Sequence, residues 1–194
     1  MTNTVLQKID HYTPLAIAIS YASIAVIFMG PAGAGWAATV IAAWLAMPSP
    51  NRNIHFGDIG HAYIPTLIIQ YLHIWEELQT GFGTEFPAKM GFTSWSESAY
   101  MAMTGGNLFI VTFGMFAIIA GTRTGTFVAG YLALIAFVNG AAHPILAIVF
   151  ADNWYFPGLF TAIPQLGLGI WLWLTLASPP RPAHMVAPRS IGQR

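Results

Sequence analysis

The chain contains no cysteine. Disulfides, thiolate-held zinc and iron–sulfur clusters are therefore excluded. Charge is nearly as scarce: Asp, Glu, Lys and Arg make up 7% of the 194 residues, against about 25% in soluble domains. So few charges cannot cover a water-facing surface, which excludes a soluble globular enzyme. Net charge is zero and there is no basic cluster, so nucleic acid is not an expected partner. The low hydrophobicity and high charge that mark intrinsic disorder are also missing. What is abundant is apolar: 56% hydrophobic residues and a mean hydropathy of +0.61. An integral membrane protein built from helices is what remains.

Crossing a bilayer takes about 20 mostly apolar residues. Six stretches come near this, at 14–29, 35–47, 61–78, 98–120, 126–150 and 158–177. The second is short, and five spans is the alternative count. The run GPAGAG at 30–35 predicts a tight turn. The expected fold is all-α: a polytopic transmembrane helix bundle forming one domain over 1–177, with a polar, Pro-rich cytoplasmic tail at 178–194 that is poorly ordered. The first stretch reads as an uncleaved helix rather than a signal peptide. Lys8 is balanced by Asp10, and the apolar run is long for a signal sequence. The long 79–97 connection is rich in Gly, Phe and Trp and is expected along the outer interface, where aromatic rings are favoured. Gly125, Gly130, Gly167 and Gly169 permit close helix packing, within one chain or between chains, so the oligomeric state stays open.

Six spans put both termini on one side. That side collects Lys8, Arg52, Arg123, Arg181, Arg189 and Arg194, and the other collects Lys89. Loops rich in Lys and Arg stay in the cytoplasm. The termini are therefore expected to be cytoplasmic, and the connections after spans one, three and five to face outward.

Ionisable residues inside a bilayer usually face the bundle interior and often mark function. The first group is His73, Glu76 and Glu77 (HIWEE). Residues three and four apart share a helix face, so His73 and Glu77 could hold one metal ion from consecutive turns. Zinc and iron both accept nitrogen-plus-carboxylate sets. Glu76 beside them could act as a base toward water. The spacing is that of the reversed zinc motif H-x-x-E-H with Glu in place of the last His. The plain alternative is two carboxylates meeting water at a helix end. The second group is Asn139 and His143 (NGAAH), four apart, with Pro144 next and a kink expected there. Its plain alternative is a hydrogen-bonded packing histidine. The third is the turn Asp152, Asn153, Trp154, Tyr155, Pro157 and Gly158 (DNWYFPG), which by itself reads as an interfacial turn.

Depth connects the three. His143 lies about 17 residues into an outward-running span, or about 26 Å, which is the level of His73–Glu77 and near the turn. His55, Asp58 and His61 lie at the inner end of span three. His61 is about 18 Å from His73 along a straight helix, so these residues read as an interfacial cap. His11 and His184 fall outside the spans. Gln70, Asn107 and Gln165 are expected to join helices by hydrogen bonds or to line a pocket below the site.

The order HIWEE, NGAAH, YFPG resembles the HXXEE-domain family of small bacterial membrane proteins. Its members share H-x-x-E-E, N-x-x-x-H and Y-N-P-G motifs. His73, Glu76 and Glu77 match the first, Asn139 and His143 the second, and Tyr155, Pro157 and Gly158 the third. Phe156 stands where that family has Asn. The resemblance covers 73–158 and implies a small bacterial membrane protein with a functional site, without naming a reaction; charge bias and depth put that site toward the periplasmic side of the inner membrane.

The leading expectation is a metal-dependent membrane enzyme. His73, Glu77 and His143 are its ligands for zinc or iron, and Glu76 is the general base. Asn139 orients His143 or polarises the substrate, and Tyr155 donates a proton or holds a substrate oxygen. A site buried in the outer leaflet suits a lipid or another amphipathic small molecule, and hydrolysis is the simplest reaction for such a set. The alternatives are oxidation at a two-iron site, a metal-free acid/base lipid isomerase, and a non-enzymatic protein coupled to protons or ions.

Overall fold

Each apolar stretch folds as α-helix in the computed structural model, which describes residues 2–46, 54–151 and 154–178, with side chains from residue 7 onward. The helices are α1 (Thr2–Met29), α2 (Ala34–Leu45), α3 (Phe56–Thr80), α4 (Phe82–Lys89), α5 (Glu97–Ile119), α6 (Arg123–Phe150) and α7 (Leu159–Ala177). There is no strand among the described residues. Arg52, Asp152, Asn153, His184, Arg181, Arg189, Arg194 and the 179–194 tail lie outside them.

Several helices begin before their apolar run because polar residues cap the first turn. Ser96 Oγ accepts the Ala99 N–H at 3.2 Å and Thr122 Oγ1 accepts the Gly125 N–H at 3.1 Å. Asp10, on α1, adds a second cap to α6. Its carboxylate accepts the backbone N–H groups of Arg123 (2.8 Å) and Thr124 (3.0 Å) and the Thr124 hydroxyl (2.7 Å).

Large apolar side chains point outward along the bundle, among them Ile27, Phe109, Phe116, Ile148, Ile163 and Leu174. Inside lie Thr66, Gln70, His73, Glu77, His143 and Gln165, all buried. An apolar outside around a polar interior is the arrangement that hydrocarbon solvent favours. Four stretches are long and apolar enough to cross a membrane: Gln7–Leu45, Glu97–Ile119, Arg123–Phe150 and Leu159–Ala177. The expected count of six is thus met in part, for two physical reasons. Helix α3 has 25 residues but carries Asp58, Gln70, His73, Glu76 and Glu77, so its mean hydropathy falls. Helices α1 and α2 form one apolar stretch that bends through a single 3-10 turn, Gly30–Gly33, where Gly30 has φ +60°. The 12 residues of α2 span about 18 Å, short of the about 30 Å hydrocarbon core.

Contacts at the two ends place the helices. At one end Asp10 of α1 meets the start of α6, and the His55 ring lies beside Gly121 in the α5–α6 turn. At the other, the Met29 carbonyl accepts the buried Trp95 indole N–H at 3.0 Å, just ahead of α5. The C-terminal end of α3 and the N-terminus of α7 lie at that same end, as the site shows. The chain therefore alternates between ends.

The 79–97 connection is more than an interfacial loop. It holds α4, whose Phe82, Gly83 and Pro87 are buried. Phe82 stacks on Phe86 and packs against Trp95, Tyr100, His143 and Phe156. The segment folds inward because its aromatic rings find an aromatic interior.

Helices α6 and α7 approach most closely at two glycines. A Cβ on Gly140 would lie 2.5 Å from the Leu166 backbone, and one on Gly169 would lie 2.8 Å from the Phe137 nitrogen. Of the glycines singled out by sequence, Gly169 and Gly125 pack within the chain, whereas Gly130 and Gly167 face open space. Gln165 Nε2 donates to Gln70 Oε1 at 2.6 Å, joining α7 to α3 as expected. Asn107 is buried with its Oδ1 unpartnered. Helix α6 runs unbroken through Pro144.

Gly140→Ala is expected to destabilise the bundle by about 1–3 kcal/mol through overpacking. Gly167→Ala should be neutral or stabilising by up to about 1 kcal/mol, because alanine is the better helix former. Thermal unfolding of both variants in detergent checks the opposite signs.

Candidate metal centre

His73 and Glu77 occupy consecutive turns of α3, and His143 faces them from α6. His73 Nε2 lies 3.4 Å and His143 Nε2 3.1 Å from the same oxygen, Glu77 Oε1. The two imidazole rings meet edge to face with centroids 4.6 Å apart. All three residues are buried, His73 completely, and one ligand atom from each lies within 4.8 Å of the others.

Hydrogen bonds behind the rings fix their tautomers. His143 Nδ1 lies 2.6 Å from the Pro157 carbonyl. A carbonyl only accepts, so Nδ1 carries the proton. His73 Nδ1 lies 2.9 Å from Thr161 Oγ1, and that hydroxyl spends its own proton on Glu76 Oε2 at 2.5 Å. Thr161 must therefore accept from His73 Nδ1–H. With Nδ1–H engaged on both rings, each Nε2 is turned toward Glu77 Oε1, and His73 Nε2 has no hydrogen-bond partner. The far oxygen of Glu77, Oε2, is held by the Tyr100 hydroxyl at 2.6 Å.

A carboxylate oxygen and two imidazole nitrogens turned toward one another among buried side chains are stabilised by positive charge between them. A divalent cation supplies it to all three at once. Ligands about 2.0–2.1 Å from a tetrahedral zinc lie about 3.3 Å from each other, close to the 3.1 and 3.4 Å found. The backing of each imidazole by a carbonyl or a hydroxyl is also the usual support of a metal-binding histidine. This donor set therefore fits a metal ion.

Glu76 does something else. One residue along, it points about 100° around the helix and reaches the N-terminus of α7. Its Oε1 accepts the Tyr155 hydroxyl (2.9 Å) and the Phe160 N–H (3.1 Å), and its Oε2 accepts the Thr161 N–H (2.8 Å) and hydroxyl. Two otherwise unpaired amides of a helix start are thus capped from another helix. Four donors thus occupy the lone pairs of the carboxylate for which a base role was expected. Tyr155 serves the same cap. Burial first, and then the Glu76 carboxylate, push its phenol above the ordinary range against an opposing bond to Thr80, so it stays protonated and donates.

The expected hold of Asn139 on His143 is likewise replaced, by the Pro157 carbonyl. Asn139 instead lines a cavity beside Glu77 and His143. The turn read as interfacial is half of the site. Gly158 has φ +85°, and a Cβ there would lie 2.5 Å from the His143 ring, so only glycine lets the chain close over it. Phe156 is fully buried, with its ring 6.4 Å from that of His143. Trp154 remains exposed, as an interfacial anchor would.

Tyr100, Thr161 and Phe82 escaped the sequence reading. Thr161 had a faint signal, being the third residue of α7 after the Gly158 turn. Tyr100 and Phe82 had none, because their partners come from other helices. The inner cluster makes no side-chain cap hydrogen bond at the start of α3. His55 and His61 are exposed, Asp58 lies in the first turn of α3, and His61 packs on Trp171. Comparison of the chain with protein-family models, curated proteins and solved structures found no match.

Glu76→Ala is expected to lower stability by about 1–3 kcal/mol, by uncapping α7 and leaving buried donors unpaired. Faster hydrogen exchange at the Phe160 and Thr161 amides, with unchanged exchange at the start of α6, identifies the cause.

Proposed function

We propose that this chain is an integral-membrane enzyme that holds one divalent metal ion, zinc or iron, on His73, Glu77 and His143, and that it hydrolyses a lipid or another amphipathic substrate. The convergence of two tautomer-locked imidazoles on one oxygen of a buried carboxylate carries this reading. Such an ion supplies Lewis acidity: it polarises a carbonyl or phosphoryl oxygen and makes water a nucleophile near neutral pH. The chain's own residues do the rest. Tyr100 orients Glu77, Thr161 and Pro157 orient the imidazoles, and Glu76 with Tyr155 anchors α7 against them. Asn139 holds a substrate oxygen, a role supported by its being the side-chain amide in an otherwise mostly apolar cavity. One acid and two imidazoles are the donors of a one-ion site, which favours this reading over a pair of irons.

The alternation of helix ends is the support for six passes, the second incomplete because α2 is short, and the Lys/Arg bias is the support for termini in the cytoplasm and a site toward the periplasm of a bacterial inner membrane. Kinship with the HXXEE-domain family is part of the same proposal. Its support is that each motif does a distinct job here. H-x-x-E-E supplies two ligands and a cap. N-x-x-x-H supplies a ligand and a cavity amide. Y-x-P-G supplies the hydroxyl, the carbonyl and the glycine that close the site.

Purified protein is expected to retain one zinc or iron ion per chain by elemental analysis, and His73→Ala and His143→Ala should each abolish it. Retention by both variants sinks the metal assignment. Release of fatty acid or a phosphorylated headgroup from bilayer lipids, lost in the same variants, tests hydrolysis. The absence of cysteine makes the topology directly testable. A membrane-impermeant maleimide applied to intact cells should label Thr93→Cys and should reach Lys8→Cys only after permeabilisation.

A further inference from the structure

Two cavities reach Glu77 from opposite sides of α4. One, of about 410 Å³, lies among α3, α4 and α5 and has a largely polar lining that includes Gln79, Thr84, Glu97 and Tyr100. The other, of about 320 Å³, lies among α2, α4 and α6 and is lined by Gly35, Trp36, Phe86, Ile135, Asn139 and Leu146, with His143 at its inner edge. The first turn of α4 divides them. Phe82 faces the apolar cavity and Gly83 the polar one, and the Phe82 ring covers His143 at a centroid distance of 5.0 Å. The carboxylate of Glu77 is therefore the meeting point of an apolar space and a polar one.

We infer that the apolar cavity is the binding site for the single hydrocarbon chain of an amphiphile, which reaches it sideways between α2 and α6, while the polar cavity takes the headgroup and admits water. This names the substrate class of the reaction proposed above and rests on that reading for its chemistry, though not for its binding. Three observations carry it. The lining is aliphatic and aromatic with one amide, the usual make-up of a ligand pocket. Its volume lies at the low end of the about 300–1,000 Å³ typical of such pockets, which suits one chain rather than two. Its lining reaches the surface at the exposed Gly35 and Met90, so a chain has an uncharged way in.

Gly35 offers a clean block. A Cβ there meets no atom within 4 Å, and the residue lies in the first turn of α2 with ordinary helical φ. Gly35→Leu therefore fills the cavity mouth without a clash and improves helix propensity. Trp36 in the cavity wall is the reporter. Purified protein in detergent is titrated with 9,10-dibromostearate, a single-chain amphiphile whose bromines quench indole on contact. The expected result is saturable quenching that is absent in Trp36→Phe, reduced at least tenfold in affinity by Gly35→Leu, and unchanged by Gly167→Leu, a filled glycine on the outer face of α7. Quenching that never saturates, or that survives Gly35→Leu, overturns the assignment. Metal content measured on the same samples separates the two proposals. Saturable quenching in a protein that holds no metal leaves this site standing and removes the hydrolase. Full metal content in a protein that is not saturably quenched does the reverse.

Discussion

Everything at the centre of this bundle turns on the convergence of two imidazoles on Glu77 Oε1. The two ring nitrogens approach this one oxygen at 3.1 and 3.4 Å among buried side chains. In bulk water such an arrangement would relax by rotation. Here rotation is blocked. The rings are held from behind by the Pro157 carbonyl and the Thr161 hydroxyl, and the carboxylate is held by Tyr100. The resulting field favours a cation strongly, because a low-dielectric interior magnifies the interaction of charges.

The neighbouring carboxylate shows how the same residue type takes another role one position away. Glu76 and Glu77 differ by one step around a helix, and that step sends them to different partners. Glu77 turns to histidines, Glu76 to the amide groups that open α7. Asp10 does for α6 at the opposite end what Glu76 does for α7. Helix starts inside a membrane protein have little water to satisfy their first N–H groups, so carboxylates borrowed from other helices are worth their desolvation. Two of the chain's seven acidic residues are used this way. Scarce charge is thus concentrated on helix ends and on the site.

The outer envelope and the interior divide the remaining composition. Isoleucine, phenylalanine and leucine cover the bundle, while small residues let α6 and α7 come close enough for His143 and Thr161 to address the same pair of turns on α3. The approach at Gly140 and Gly169 leaves no room for a Cβ. A wider spacing would separate the Gly158 turn from the His143 ring it covers. Helix α4 then closes the assembly with aromatic side chains, which tolerate a polar ring edge better than aliphatic ones do.

What the amino-acid order determined by itself was local or averaged. Low charge and long apolar runs specified a helical membrane protein. A spacing of four placed His73 and Glu77 on one face, and the cost of burying ionisable groups singled out His143 and Asn139 as residues needing a reason. Periodicity along one helix is visible because 3.6 residues make a turn regardless of surroundings. Tertiary structure alone decided that Glu76 caps α7, that Pro157 rather than Asn139 steers His143, that Tyr100 and Thr161 complete the set, and that residues 82–89 fold inward as a helix. These depend on crossing angles, relative depth and close approach between separate helices, quantities set by packing of the whole bundle and carried by no single stretch of chain.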